Sequence, residues 1–283
     1  MKENKGRYAV AKMARVLGAS RSGYYAGEGR EPSKHGQKDR ELACIIGRIF
    51  KGRRQRYGSP RIWEELKAMG IRTGRKRVER LMREQRLGAR RKRKGAYAAN
   101  SRHRLPVAGN ILSRDFRAAV PGEKWVSDIT YARTKEGWLY VTAILDLYDR
   151  KAIGWSMSAE LAAEQTCRAL GMAARNRPPR DGLIFHSDRG HQYCSDEFRS
   201  LLKLLCPAVR QSVSRKGNCW DNACAESFFK TLKAELDMLE GKHSFKEAQT
   251  AAFEYIEVYY NRCRRHSALG YAIPIALTPN NAA

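Results

Sequence analysis

No stretch of the chain approaches the ~18 consecutive apolar residues of a membrane-spanning helix. The first residues are charged and contain no apolar leader, so no secretory signal is expected. The seven cysteines (Cys44, Cys167, Cys194, Cys206, Cys219, Cys224 and Cys263) are odd in number and scattered. Cys219 and Cys224 stand five apart, but no second ligand pair at zinc-finger spacing follows them. Free thiols in a reducing cytoplasm are therefore expected, and a structural zinc is not. No long heptad run is present either, so the chain carries no zipper of its own. Acidic residues are scarce where the chain begins. Residues 1–120 hold 10 Asp+Glu against 33 Lys+Arg, a net of +23, whereas residues 121–283 hold 19 against 22.

What is present divides accordingly. The 283 residues suffice for two domains at roughly 150 residues each, and 42% hydrophobic content can bury a core. Most of the +26 net charge marks the amino-terminal part as a grip for a polyanion. A membrane-surface or ribosome-associated segment is the blander reading. Helical periodicity interleaved with the charge favours nucleic acid.

Residues 8–26 read as a short helix with Val10, Met13, Val16 and Leu17 on one side, a Gly-Ala-Ser turn, and a second segment ending in Tyr24 and Tyr25. Ser59 as N-cap and Pro60 at the first helical position start a better-marked helix carrying Ile62, Trp63, Leu66 and Met69, which Gly70 ends. Thr73 caps the next, with Val78, Leu81 and Met82 inward and Arg75, Lys76, Arg77 and Arg80 elsewhere. Two helices joined by a tight turn, the second rich in arginine, have the form of a DNA-reading helix-turn-helix. The alternative is a solvated basic helix in a bundle. Arg90–Lys94 opens a basic linker over 90–118, either free in solvent or laid along a DNA backbone.

From Lys124 the texture becomes that of strands. WVSDITYAR, WLYVTAILDLY and AIGWSMS suit three antiparallel strands. A helix at about 162–176, a short buried strand GLIFHS, a helix at 195–205 capped by Ser195 and a strand at 208–213 follow. Asn222–Leu239 and residues 244–262 read as two further helices. That order gives an α/β fold with a mixed five-stranded sheet.

Three acids stand in unusual surroundings: Asp128 in KWVSDIT, Asp188 in LIFHSDRGHQY and Glu226 in GNCWDNACAESFFKTLK. A carboxylate directly after an apolar run is poorly placed for a core and well placed for a hard divalent cation. Three of them can hold two such ions, and paired ions stabilise both the attacking and the leaving oxygen of a phosphodiester displacement. Glu226, Lys230 and Lys233 fall on one helical face, either as a stabilising ion pair or as a phosphate grip. Phe228 and Phe229 anchor that helix in the core. Arg215 and Lys216 lie in a short basic loop that can cover DNA, and Trp220 beside it either stacks on a base or packs. His186 and His191 flank Asp188, and neither is assigned as a base.

WVSDITY, HSDRGHQY, RKGNCWDNACAESFFKTLKAE and YYNRCRRHSALGYAIP, with YGSPRIWEELK upstream, closely resemble the OrfB transposases of the insertion-sequence "IS-three" family, relatives of retroviral integrases. The resemblance covers nearly the whole chain. It implies a ribonuclease-H-like integrase core over 119–272, preceded by a small all-α helix-turn-helix region over 1–89 and followed by a tail over 273–283. It implies the triad Asp128, Asp188 and Glu226, catalytic and metal-holding, with Mg²⁺ (Mn²⁺ substituting) as two ions. It implies a reaction in which one strand at an element end is nicked and its 3′-hydroxyl attacks near the other end. Implied partners are DNA, further copies on DNA, and an upstream OrfA protein or fusion; the implied place is the bacterial cytoplasm at the nucleoid. One departure is a 37-residue interval, 189–225, where the family usually has thirty-five; the extra two fall in LKLLCPAVR, where Pro207 marks a turn. A nuclease of the same fold and a non-catalytic DNA-binding regulator are the alternatives.

Overall fold

The computed structural model describes residues 1–28, 33–89, 105–236, 241 and 243–277. The chain divides into two compact units, Met1–Ala89 and Arg90–Ala283. The basic run Arg90–Lys94 lies outside the described residues.

Among its described residues the first unit contains five α-helices, α1 (Val10–Val16), α2 (Arg21–Glu28), α3 (Lys34–Gly52), α4 (Ser59–Ala68) and α5 (Arg75–Glu84), after a 3-10 turn at Lys2–Asn4. Its core joins Leu42, Ile46 and Phe50 of α3 to Ile62 and Leu66 of α4 and Val78, Leu81 and Met82 of α5. The sequence reading passed over α3, although Leu42, Ile46 and Phe50 repeat at four-residue spacing and the Ser33 side chain caps its start at Gly36. Gly58, not Ser59, caps α4, and Gly74, not Thr73, caps α5, each one residue from the expected position. Thr73 serves instead through its carbonyl, which accepts the Trp63 indole N–H at 2.8 Å. Val16 and Leu17, expected on an inward face, are exposed within this unit.

The second unit is built on a mixed sheet of β1 (Lys124–Arg133), β2 (Trp138–Asp146), β3 (Ala152–Ser158), β4 (Ile184–Ser187) and β5 (Arg210–Val213), in the order β3-β2-β1-β4-β5. The first three strands are antiparallel, while β4 runs parallel to β1 and to β5. Alternation along β1 sends Val126 to one face and Trp125 to the other. Val126 joins a core formed with Phe228, Phe229 and Leu232 of α9 (Ala223–Glu235) and Ala248 and Ala252 of α10 (Phe245–Phe253). Trp125 joins a second core with α6 (Ala163–Asn176) and α8 (Asp196–Leu205), which follows the one-turn α7 (His191–Cys194). α6 lies against β3 so closely that a Cβ on Gly154 would collide with the Ala169 carbonyl and stand 2.7 Å from the Ala173 Cβ.

The expected helix over 244–262 is α10 continued as a π-helix over Glu254–Tyr260, and Asn222–Leu239 shortens to α9, its last residues lying outside the described ones. A one-turn helix, α11 (Pro274–Leu277), occupies the start of the expected tail. Between α8 and β5, residues 206–209 make a turn closed by the Val209 N–H on the Cys206 carbonyl at 2.9 Å.

Both edges of the sheet carry groups that are not strands. On β3 the Asn261 side chain pairs with the Ala152 N–H and C=O, each at 2.9 Å, and the Trp155 N–H points at the Met172 sulfur. On β5 the Val213 N–H meets the Gly109 carbonyl, and the Ser212 hydroxyl accepts the Ile111 and Leu112 N–H groups.

Candidate active site

The parallel pairing of β1 with β4 sets Val126 opposite His186. Asp128 and Asp188 each lie two residues beyond that rung, so both carboxylates leave the same end of neighbouring strands toward the face that α9 covers. Glu226 stands in the first turn of α9. The start of that helix is fixed to β1 by the Asn222 side-chain amide, which donates to the Ser127 carbonyl at 2.9 Å. The helix N-terminus adds positive potential where the three acids gather.

Asp128 keeps some exposed surface, but protein surrounds its carboxyl densely. That burial, reinforced by the charge of Asp188 and then Glu226, pushes it well above the usual carboxylate range, against the Ile129 N–H bond and the Lys233 charge. Burial and then Asp188 also raise Glu226. Asp188 accepts the Gly190 N–H at 2.9 Å, and a Cβ on Gly190 would press to 3.1 Å from that same oxygen. Tyr193, bonded to the Ser127 hydroxyl at 2.7 Å, floors the site; burial first, and then Asp128 and Asp188, raise its phenol. Hard oxygen donors whose charges raise one another's pKa are suited to divalent cations. They do not close on one point: among the described residues no three His, Cys, Asp or Glu side chains are placed to hold an ion. Glu226 is exposed, and its side chain has rotamers with which to turn inward.

The expected DNA contacts divide into free and committed groups. Arg75 and Lys76 are exposed on α5. Arg77 and Arg80 are held by Asp39 of α3 at 2.6 Å each, and Arg80 also by Glu84. Lys216 and Lys230 are exposed, whereas Lys233 is half-buried with its ammonium 5.1 Å above the Tyr131 ring. Arg215 is a clamp as much as a surface cation. Its Nε and Nη2 bond the fully buried Asp221 at 2.9 and 2.8 Å, and its backbone N–H adds a third bond. Arg114 donates to Asp221 as well, and the two guanidinium groups hold this carboxyl far below its usual range.

Asp221 and Arg114 were not singled out by sequence, because 107 residues separate them. His186 lies buried between the Ser212 and Ser214 hydroxyls, and burial lowers it to about 4, a neutral structural imidazole. Trp220 is 69% exposed and does not pack, while Phe228 and Phe229 are buried as expected. All seven cysteines are free thiols.

Residues 118–219 and 208–274 match integrase core domain families, and residues 37–95 match an HTH-like domain family. The "Insertion element IS600 uncharacterized 31 kDa protein" of Shigella sonnei is 44% identical over 264 residues, 93% of this chain and 96% of that one. "Transposase InsF for insertion sequence IS3A" of Escherichia coli (strain K12) is 41% identical over 278 residues, 97% of this chain and 95% of that one. A chain of the simian T-cell lymphotropic virus intasome in complex with PP2A regulatory subunit B56 gamma superposes with a TM-score of 0.45 at 15% identity, over 65% of this chain and 63% of that one. So loose a likeness carries no argument. The five-stranded mixed sheet preceded by helices is that of the integrase core with its HTH-like region. By its identity to these relatives along nearly its full length, the chain belongs to the IS3-family transposases.

Proposed function

We propose that Asp128, Asp188 and Glu226 form one acidic centre at which this transposase cuts element ends and joins a DNA 3′-hydroxyl to a second phosphodiester, with two Mg²⁺ ions in the working complex and Mn²⁺ as a substitute. The observation that carries it is the shared rung: Val126 and His186 pair, and the two aspartates follow each at the same distance. When bound, divalent ions lower the pKa of the attacking hydroxyl and offset charge on the leaving oxygen. In nicking, a water oxygen displaces a 3′-oxygen from phosphorus. In joining, the freed 3′-hydroxyl does the same at another phosphate, so one P–O bond forms as one breaks and no energy source is consumed.

The chain's own residues supply position and charge. The Gly190 N–H and the Ile129 N–H fix the two aspartates. Lys230, Lys233 and Lys216 offer cations for phosphates beside the scissile bond. Arg215, tied to Asp221, keeps the loop before α9 in shape. In the first unit Arg75 and Lys76 face outward to a DNA backbone, while Asp39 sets the direction of Arg77 and Arg80. Two or more copies assemble on DNA, alone or fused to an upstream OrfA protein.

The test places the chain, alone and fused to the upstream frame, in cells with a plasmid carrying the element's two ends. End-to-end junctions are expected; their absence from both proteins, with DNA binding intact, refutes strand transfer by this copy.

Arg75→Ala and Lys76→Ala should each lower the slope of log affinity against log salt by about one. Unchanged slopes in both would remove α5 from the DNA contact. Mg²⁺ should raise the thermal midpoint of the wild type, by about 2.7 kcal/mol of stability at a hundredfold excess over its Kd. Asp128→Asn should abolish that rise, and an equal rise in the variant would place the ion elsewhere.

A further inference from the structure

One face of the β1–β2 hairpin carries side chains that the acidic centre does not use. Tyr131 stands opposite Tyr140, and Arg133 opposite Trp138, so the four share a face. It is the face opposite Asp128, and on it the helix-covered core extends only to Ile129. Tyr131, Trp138 and Tyr140 belong to neither core, and Trp138 is 43% exposed. The Tyr131 and Trp138 rings meet edge to face at 5.2 Å, with the Tyr140 ring tilted 6.2 Å from Tyr131.

Each end of this aromatic group bears a cation. The Arg133 guanidinium lies 5.9 Å from the centre of Trp138, and the Lys233 ammonium 5.1 Å from that of Tyr131. Lys233 belongs to α9 on the other side of the sheet. It reaches Tyr131 past the edge of β1, which β4 accompanies only over Lys124–Val126. The charge of the same lysine also bears on the Asp128 carboxyl. One side chain therefore links the acidic centre to the aromatic face.

An exposed tryptophan beside two half-buried tyrosines, flanked by cations, matches unpaired nucleic acid, whose bases present π-faces and whose phosphates take the charge. A duplex hides those faces. We propose that Trp138, with Tyr131 and Tyr140, is a stacking site for unpaired nucleobases of a DNA strand brought to Asp128, and that Arg133 and Lys233 hold the adjoining phosphates. The proposal rests on the acidic centre only for what the strand is doing there.

The experiment uses the full chain in EDTA with two labelled 20-base-pair duplexes, one flush and one ending in three unpaired nucleotides. The wild type should bind the frayed duplex about tenfold more tightly, as alanine-scanned stacking contacts suggest. Trp138→Ala should remove that preference and leave flush binding within about twofold, while Trp138→Phe keeps most of it. A 2-aminopurine in the overhang should be quenched on binding wild type, a reading that does not depend on any variant folding. No preference and no quenching in the wild type, or an equal loss by Trp138→Ala on both duplexes, overturns the site. No cleavage occurs without divalent ions, so a failure of strand transfer leaves this result standing. A wild type that shows no preference yet forms junctions normally refutes the stacking site alone.

Discussion

Asp188→Asn should lower end-to-end junctions by about a thousandfold or more while DNA binding stays at the wild-type level. Asparagine keeps a side-chain oxygen to accept the Gly190 N–H, so the turn after β4 keeps its bond. What it loses is a negative charge at the centre of three acids, one that both Asp128 and Glu226 feel. Removing a ligand to a catalytic ion forfeits several kcal/mol of transition-state stabilisation, and each 1.36 kcal/mol is a factor of about ten. The check is quantitative amplification of junctions from cells expressing equal amounts of the two proteins, beside a gel-shift measurement. Junctions within tenfold of wild type would mean that Asp188 holds no ion in the reaction. Loss of DNA binding in parallel would mean that the substitution damaged the protein and not its chemistry.

Gly154→Ala should unfold the catalytic unit more readily than any single change at its surface. The added methyl falls on the Ala169 carbonyl and 2.7 Å from the Ala173 Cβ, both on α6. Neither obstacle is the end of a flexible side chain, so the whole helix must back away from β3. Overpacking of an ordinary core costs about 1–3 kcal/mol. Here the cost should reach about 3 kcal/mol or more, since α6 also covers Ile144 and Ile153 and must loosen over both. For a unit of this size the thermal midpoint should fall by about 6–12 °C. Calorimetry of the variant settles it, and a midpoint within 2 °C of wild type would show that α6 slides freely along the sheet.

The acids were legible in the sequence because each breaks a local rule. Asp128 interrupts a strand of apolar and β-branched residues, and Asp188 ends a buried one. The strand order and the parallel rung that join them could only be anticipated through the resemblance. Periodicity marks a strand's faces but not its neighbour. The helix that carries Glu226 was legible through Phe228 and Phe229, both buried. α3 went unread: its second half, Leu42–Phe50, is apolar almost throughout, and only burial singles out Leu42, Ile46 and Phe50 as the inward stripe. Gly47 lies against Gln85, whose oxygen would be 3.3 Å from an added Cβ. The committed arginines were invisible for another reason. A cation reads as free until its partner is known, and Asp39 and Asp221 reach Arg77 and Arg114 from 38 and 107 residues away.

The edges of the sheet carry a consequence for how copies of the chain meet. An open strand edge invites another chain to add its own strand and, repeated, to build fibrils. At β3 the Asn261 amide imitates the missing neighbour, and at β5 the Gly109 carbonyl accepts the Val213 N–H while the Ser212 hydroxyl holds the Ile111–Leu112 backbone alongside. Backbone zippering is thereby discouraged at both ends of the sheet. If copies gather on DNA as proposed, they must then recognise one another through side chains on helices and loops, contacts that salt and dilution can undo. Any assembly of copies is then of a reversible kind, and that follows directly from how the sheet edges are finished.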